Sequence, residues 1–395
     1  MLAEDLNVAF PVTFWTIRSD AAPDLLPSPL RRQGKSPFGP REDRGPDPIW
    51  IDRNHVVFPR NTEYEIFSVD GTPHVLGAMF LLNHRSIFTD RAPPVAGIAE
   101  RARAEGALLD LDKHSWPWSM MLVPVARVDL FELSNNSVWR TNFGFNQAPR
   151  SLPKWMDVEH ETPTTLTEWG WLNYGWQIYY ALLNCGFRLA PTAGTASGVH
   201  PVPLGFSRVY VHTGDAFDAD RWLAGLKAGR SFVTTGPMLF ATVDGRLPGE
   251  EFEFGAGESR RVTVDIETVS EREVSAIEIL VNGVVAASIA PDSTKTSQGA
   301  WKVSARRVIE LRESSWVAVR CVEPRDDGRK RFAHTAPWRV SIGGRPINPR
   351  REQVEYFVGL MESEIQRNRE ILKPEALAEF QQALKIYREL LPRAR

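Results

Sequence analysis

The sequence predicts an α/β protein: a β/α barrel or open sheet, then an antiparallel β-sandwich, then a helical tail. Three observations carry this expectation. From residue 49 short apolar runs alternate with helical stretches, as in parallel β-α units. After Pro237 the texture changes to period-two alternation with a hairpin signal. Residues 348–395 carry two amphipathic helical stripes. The expected domains are therefore 1–237, 238–347 and 348–395, in keeping with a chain of 395 residues, too long for one ordinary domain.

Residues 20–48, rich in Pro, Gly, Arg and Asp, predict a long irregular loop. HVVFP and YEIFSV read as strands. PVAGIAERARAEGA reads as an amphipathic helix with Ile98, Ala102 and Glu105 at helical spacing. ALLDLDKH, VDLFELSN, PTAGTAS and SRVYVHT are further strands. DAFDADRWLAGLKAGR is a helix opened by Asp218 and closed near Gly229. In the second domain VTVDIETV alternates, Asn282-Gly283 separates two apolar runs, and SWVAVRCVE and WRVSI add strands. In the tail Val354, Phe357, Met361 and Ile365 stripe one helix. Pro374 starts a second, striped by Leu377, Phe380, Leu384 and Tyr387. These stripes are expected to pack on the sandwich or on a partner chain, so a homo-oligomer through the C-terminal helices is an open expectation.

Composition excludes several classes. A net charge of −2 offers no basic excess for a phosphate backbone, so nucleic acid is not expected as a partner. No apolar run reaches membrane-spanning length, so no membrane partner is expected either. MLAEDLNVAFPVTFW lacks the features of a signal peptide and opens almost directly on a strand; the chain as given reads as cytoplasmic, but localisation stays unknown. That start implies an upstream segment that is absent or never existed. Cys185 and Cys321, far apart, read as two buried apolar thiols. Of the 13 tryptophans seven cluster at 116–118, 139, 155 and 169–176, which predicts an aromatic-walled surface or cleft.

Functional groups of β/α barrels sit at strand carboxyl ends. Glu65 in YEIF, His74 nine residues on, His114 ending ALLDLDKH, Glu132 in VDLFEL and His200 after GTASGV fit that rule. Imidazole and carboxylate are the usual ligands of zinc, manganese or iron. A lone histidine is more often a hydrogen-bonded structural residue than a ligand. Asp110 and Asp112 can orient the His114 ring or simply be solvated acids. His55, His160, His212 and His334 lack such a context. GTASGVH carries no Lys for an anion cradle, and Ser197 does not stand in a GxSxG elbow.

VDLFELSNN, YYALLNCGFRLAPTAGTASG and GFSRVYVHTGDAFDADRWLAGLKAGRSFVTTGPML, with EILVNG and FAHTAPWRVSI later, resemble the PHP (polymerase and histidinol phosphatase) superfamily. Within it they are most similar to the carbaryl-hydrolase-like CehA/McbA type. The resemblance spans roughly residues 1–345 and implies a distorted (β/α)7 PHP-type barrel followed by the sandwich. It also implies a cluster of one to three metals and cleavage of a small ester, carbamate or phosphoester by a metal-activated water. Relatives of this type are often exported. The family's opening D-L-H-x-H matches Asp5-Leu6-Asn7-Val8-Ala9, so both histidines are replaced and only Asn7 keeps a donor. Glu65 and His74 match the next pair, and His114 matches the strand-end histidine. The family's late Asp is lost after Gly194-Thr195, with His200 displaced by two positions. The implied metal set is Glu65, His74, His114, Asn7 and His200, with His114 and His200 as catalytic candidates. Trp116, Trp118, Trp139 and Asn135 form the expected substrate pocket, alongside the 169–176 tryptophans. The competing expectations are an inactive barrel binding a ligand such as a carbohydrate, and a structural module.

Overall fold

The structure is a computed structural model, and it describes residues 1–25, 43–111, 115, 116, 118–138, 152–198, 200–257 and 259–395. It is a mixed α/β protein with several sheets and few helices. Two compact units divide it: 1–132, 196–204 and 351–392 form the first, and 133–195, 205–350 and 393–395 the second.

In the first unit a mixed sheet runs, in spatial order, through Asp24–Leu25, Phe14–Arg18, Thr62–Val69, Thr72–Leu82, Leu108–Leu111 and Leu130–Ser134. Phe14–Arg18 is parallel to Thr62–Val69, and Leu108–Leu111 to Leu130–Ser134; among the described residues only the second pair has a helix, Ser119–Val125, between its strands. Between them stands Thr72–Leu82, antiparallel to both neighbours. One face buries Tyr64, Ile66, Met79, Leu81 and Leu109. The helix Ala96–Ala104 forms where expected and buries Ile98 and Ala102. Val8–Ala9 does not join this sheet: it pairs with His55–Val57 in a separate three-stranded sheet.

The tail helices Arg351–Asn368 and Pro374–Arg388 also belong to the first unit. Their stripes bury Val354, Phe357, Met361, Phe380 and Tyr387. The Tyr387 hydroxyl donates to the Met120 carbonyl at 2.8 Å, and Glu379 Oε1 accepts from the Val95 and Ala96 N–H groups at 2.8 and 2.7 Å. The apolar stripes are thus covered within this unit.

Besides a two-stranded sheet of His160–Thr162 with Thr165–Leu166, the second unit holds two large, mostly antiparallel sheets. One contains Arg208–Val211, Ser231–Thr234, Lys330–Thr335, Ser315–Pro324, Ala276–Val281 and Val284–Ile289, with Trp338–Ile342 and Glu251–Phe254 attached. The other contains Met238–Val243, Arg260–Ser270, Trp301–Leu311 and Thr294–Lys295. Val262, Val264 and Ile309 of the second share one apolar core with Ile277, Val317 and Trp338 of the first. The Asn282-Gly283 hairpin forms as its sequence demands, with φ of 50° and 80° at the two turn residues. The helix Ala219–Ala228 is capped by Asp218, whose carboxylate accepts from the Arg221 N–H at 2.7 Å, and ends at Gly229 with φ of 75°.

The helix Glu168–Asn184 was not foreseen. It starts at Thr167, whose hydroxyl accepts from the Gly170 N–H at 2.9 Å. Trp176 is buried against Phe332 at 4.8 Å, so this part of the tryptophan cluster is core rather than an open wall. Both cysteines are free and buried, and burial pushes each thiol up to about 12. Among the described residues no helix is long and apolar enough to cross a membrane.

Candidate functional site at the strand ends

Strand register assembles the candidate site. Trp15, Glu63, Phe80, Asp110 and Leu130 are successive partners across five strands, so their side chains share one face of the sheet. Alternation puts Glu65 on the same face two residues past Glu63, and Glu132 two residues past Leu130. Four of the five strands run in one direction, which brings Glu65 and Glu132 toward a common carboxyl edge. Asp110 and Glu132 are only 4% and 8% exposed, whereas Glu63 and Glu65 are half-buried. Buried carboxylates on one face are costly unless a cation or hydrogen-bond donors compensate them. The Trp15 indole supplies one such donor: its Nε1 lies 3.1 Å from Glu65 Oε2.

The other expected residues are distributed unevenly. His74 lies beside the end of the helix Arg351–Asn368. Its Nε2 is 2.7 Å from Asn368 Oδ1, and Arg367 Nη1 lies 3.0 Å from that same Nε2 and 3.4 Å from Nδ1. Asn7 stands in the separate three-stranded region and donates its amide to the Asn54 carbonyl at 3.0 Å, so it and Glu65 occupy different sheets. His200 donates its backbone N–H to the Ala196 carbonyl at 3.0 Å. Ser197 donates its hydroxyl to the Val202 carbonyl at 2.7 Å, which sets that hydroxyl in a turn.

Trp118 is 0% exposed, packed where its backbone N–H meets the Leu76 carbonyl at 3.0 Å, so its ring lines no open pocket. Trp116 is half-buried and meets Phe67 edge-on at 5.4 Å. Asn135 belongs to the second unit, where its side chain accepts from the Ser137 N–H at 3.1 Å. His114, Asp112 and Trp139 lie outside the described residues. Among the described residues no three His, Cys, Asp or Glu side chains gather as a metal-holding group.

Two other histidines are buried and structural. His84 bonds Thr62 Oγ1 at 2.8 Å and the Ser86 carbonyl at 2.7 Å, and burial lowers its pKa to about 4. His334 bonds the Tyr180 hydroxyl at 2.8 Å and the Thr335 carbonyl at 2.7 Å, with its pKa lowered by burial to about 3. Neither protonates near neutral pH, which removes both from general acid–base work there.

Sequence reasoning missed two cavities of the second unit. One of about 810 Å³ is lined by Tyr210, His212, Phe232 and Phe240, with Arg230 and Arg306 also in its wall. The other, of about 220 Å³, gathers Arg188, Lys227 and Arg339. Neither leaves a local signal, because each draws on residues far apart in the chain. Comparison with family models, with characterised proteins and with solved structures returns no match.

Proposed function

We propose that the chain is a hydrolase of a small ester, carbamate or phosphoester, with its active centre on the carboxylate face of the first unit. What supports this reading is the carboxylate face: Glu65, Asp110 and Glu132 share one side of the sheet, with Asp110 one residue, Glu132 two and Glu65 four from the carboxyl ends of their strands, toward the usual place for chemistry in sheets of this kind. The resemblance to PHP hydrolases adds the distorted (β/α)7 barrel, the β-sandwich and the divalent metal to the proposal.

Oxygen donors of this type suit a hard divalent cation, which favours manganese over zinc among the metals considered. The described carboxylates do not by themselves converge into a site, so the proposal adds His114 as the donor that completes it. Such an ion would make water acidic enough to serve as a nucleophile near neutral pH. The chain's own part is positional. Trp15 fixes one oxygen of Glu65, and Phe67 and Trp116 offer apolar surface to a leaving group.

Metal content of the purified protein, with chelator-sensitive hydrolysis of nitrophenyl esters and phosphates, tests the reading. Stoichiometric metal that falls in Glu65→Gln and His114→Ala supports it. A metal-free protein without hydrolysis ends it. A second reading, an inactive domain that binds a ligand such as a carbohydrate, is favoured by one observation: His74 is already engaged by Asn368 and Arg367. Saturable ligand binding by metal-free protein would select it.

A further inference from the structure

The second unit contains a basic cavity that owes nothing to the proposed hydrolase centre. It has a volume of about 220 Å³ and lies at the carboxyl end of the helix Ala219–Ala228. Arg188, Lys227, Gly229, Gly249, Glu251 and Arg339 contribute to its wall. The parallel pairing of Glu251–Phe254 with Trp338–Ile342 sets Glu251 directly beside Arg339. The Glu251 carboxylate is nevertheless taken by Arg188, which reaches both of its oxygens, Nη2 to Oε2 at 3.1 Å. Arg339 is half-buried, and its guanidinium makes no hydrogen bond or ion pair with any described residue. Burial pushes its pKa down, with Arg188 nearby adding to the shift and Tyr179 and Glu251 opposing it. Lys227 is exposed and likewise unpaired among the described residues.

Charge arithmetic decides what the cavity attracts. Arg188 and Glu251 cancel, leaving Arg339 and Lys227 as two positive charges. The helix end opposes them with a partial charge of about −0.5. The balance stays above one positive charge. Gly249 keeps the wall in place: a Cβ there would lie 2.0 Å from the Ala228 carbonyl oxygen, so only glycine lets this turn seat against the helix end.

We propose that this cavity binds a small oxyanion, a phosphate group either free or carried by a small phosphomonoester. A water takes roughly 30 Å³ of liquid volume, so the space holds one tetrahedral anion with a short organic part or a few waters. It is smaller than the roughly 300 Å³ at which pockets for drug-sized ligands begin. Guanidinium and ammonium groups are the usual partners of phosphate oxygens.

Calorimetry at constant ionic strength, with inorganic phosphate, glycerol phosphate and chloride as probes, tests the site on the full chain. Saturable binding of either phosphate but not of chloride is expected. Tighter binding of glycerol phosphate assigns the site to phosphomonoesters, and equal or weaker binding assigns it to the free anion. Arg339→Gln should weaken binding at least about tenfold, a change of about 1.4 kcal/mol. Lys227→Gln, at an exposed position that leaves the fold intact, should weaken it several-fold. The proposal falls if the wild type shows no saturable phosphate binding, or if Lys227→Gln binds as the wild type does.

Discussion

The indole of Trp15 hydrogen-bonds Glu65 across two parallel strands, Nε1 to Oε2 at 3.1 Å. It ties a half-buried carboxylate of the candidate site to its neighbouring strand. Trp15→Phe retains most of the ring and deletes the donor. The expected loss is about 1–3 kcal/mol, read as a lower urea midpoint. If the hydrolase proposal holds, metal affinity should fall by about 10–100-fold as well, because Glu65 loses its orienting partner. An unchanged midpoint would show that the bond contributes nothing.

His334 makes stability depend on pH with a definite sign. Its folded-state pKa is lowered by burial to about 3 from the ordinary 6.5. The unfolded chain therefore binds the extra proton first as pH falls. The contribution is complete above about pH 6.5 and is lost progressively between about 6.5 and 3. At pH 5 this group alone should cost about 2 kcal/mol relative to pH 7, at 1.36 kcal/mol per pH unit. The difference in urea unfolding between wild type and His334→Gln across this range isolates the effect. A difference that does not vary with pH would refute it.

Gly249 and Gly245 separate steric from conformational cost. Both have positive φ, 84° and 76°, but a Cβ at Gly245 meets nothing within 4 Å while one at Gly249 meets the Ala228 carbonyl oxygen at 2.0 Å. Gly245→Ala should cost about 1–2 kcal/mol from the left-handed backbone alone. Gly249→Ala should exceed it by a further 1–3 kcal/mol, about the cost of overpacking. Equal melting temperatures for the two variants would contradict the close approach.

Glu379 caps a helix far from it in sequence. Its Oε1 accepts from both Val95 and Ala96 at the start of Ala96–Ala104. Glu379→Ala removes both acceptors and should cost about 2–4 kcal/mol, whereas Glu379→Gln, which keeps one oxygen, should cost less. Deleting residues 351–395 should destabilise the first unit rather than free an independent tail. A truncated chain with an undiminished first-unit transition would overturn that expectation.

What the sequence determined by itself was local. Asp218 and Gly229 mark the ends of one helix because a cap acceptor and a left-handed glycine satisfy groups within a few residues. Asn282-Gly283 specifies its hairpin through two positive φ angles, and the period-two runs specify strands that bury alternate side chains. The mixed α/β character follows from the same short-range signals. Tertiary structure decided the rest. HVLGAMFLL is a continuous apolar run whose period names no element, and only pairing on both sides made it an antiparallel strand between parallel neighbours. The helix Glu168–Asn184 is aromatic around most of its surface, so no polar face revealed its period. Trp118 went to the interior instead of a cleft wall because the chain folds it against Leu76. Glu65 and His74 were read as residues at strand carboxyl ends, whereas Glu65 stands in the middle of Thr62–Val69 and His74 near the start of Thr72–Leu82, and their partners were not legible at all. Trp15 lies 50 residues from Glu65 and Asn368 lies 294 from His74. Contacts closed over such separations leave no periodicity for a sequence to show; they exist only when packing brings the two strands, or the strand and the helix, together.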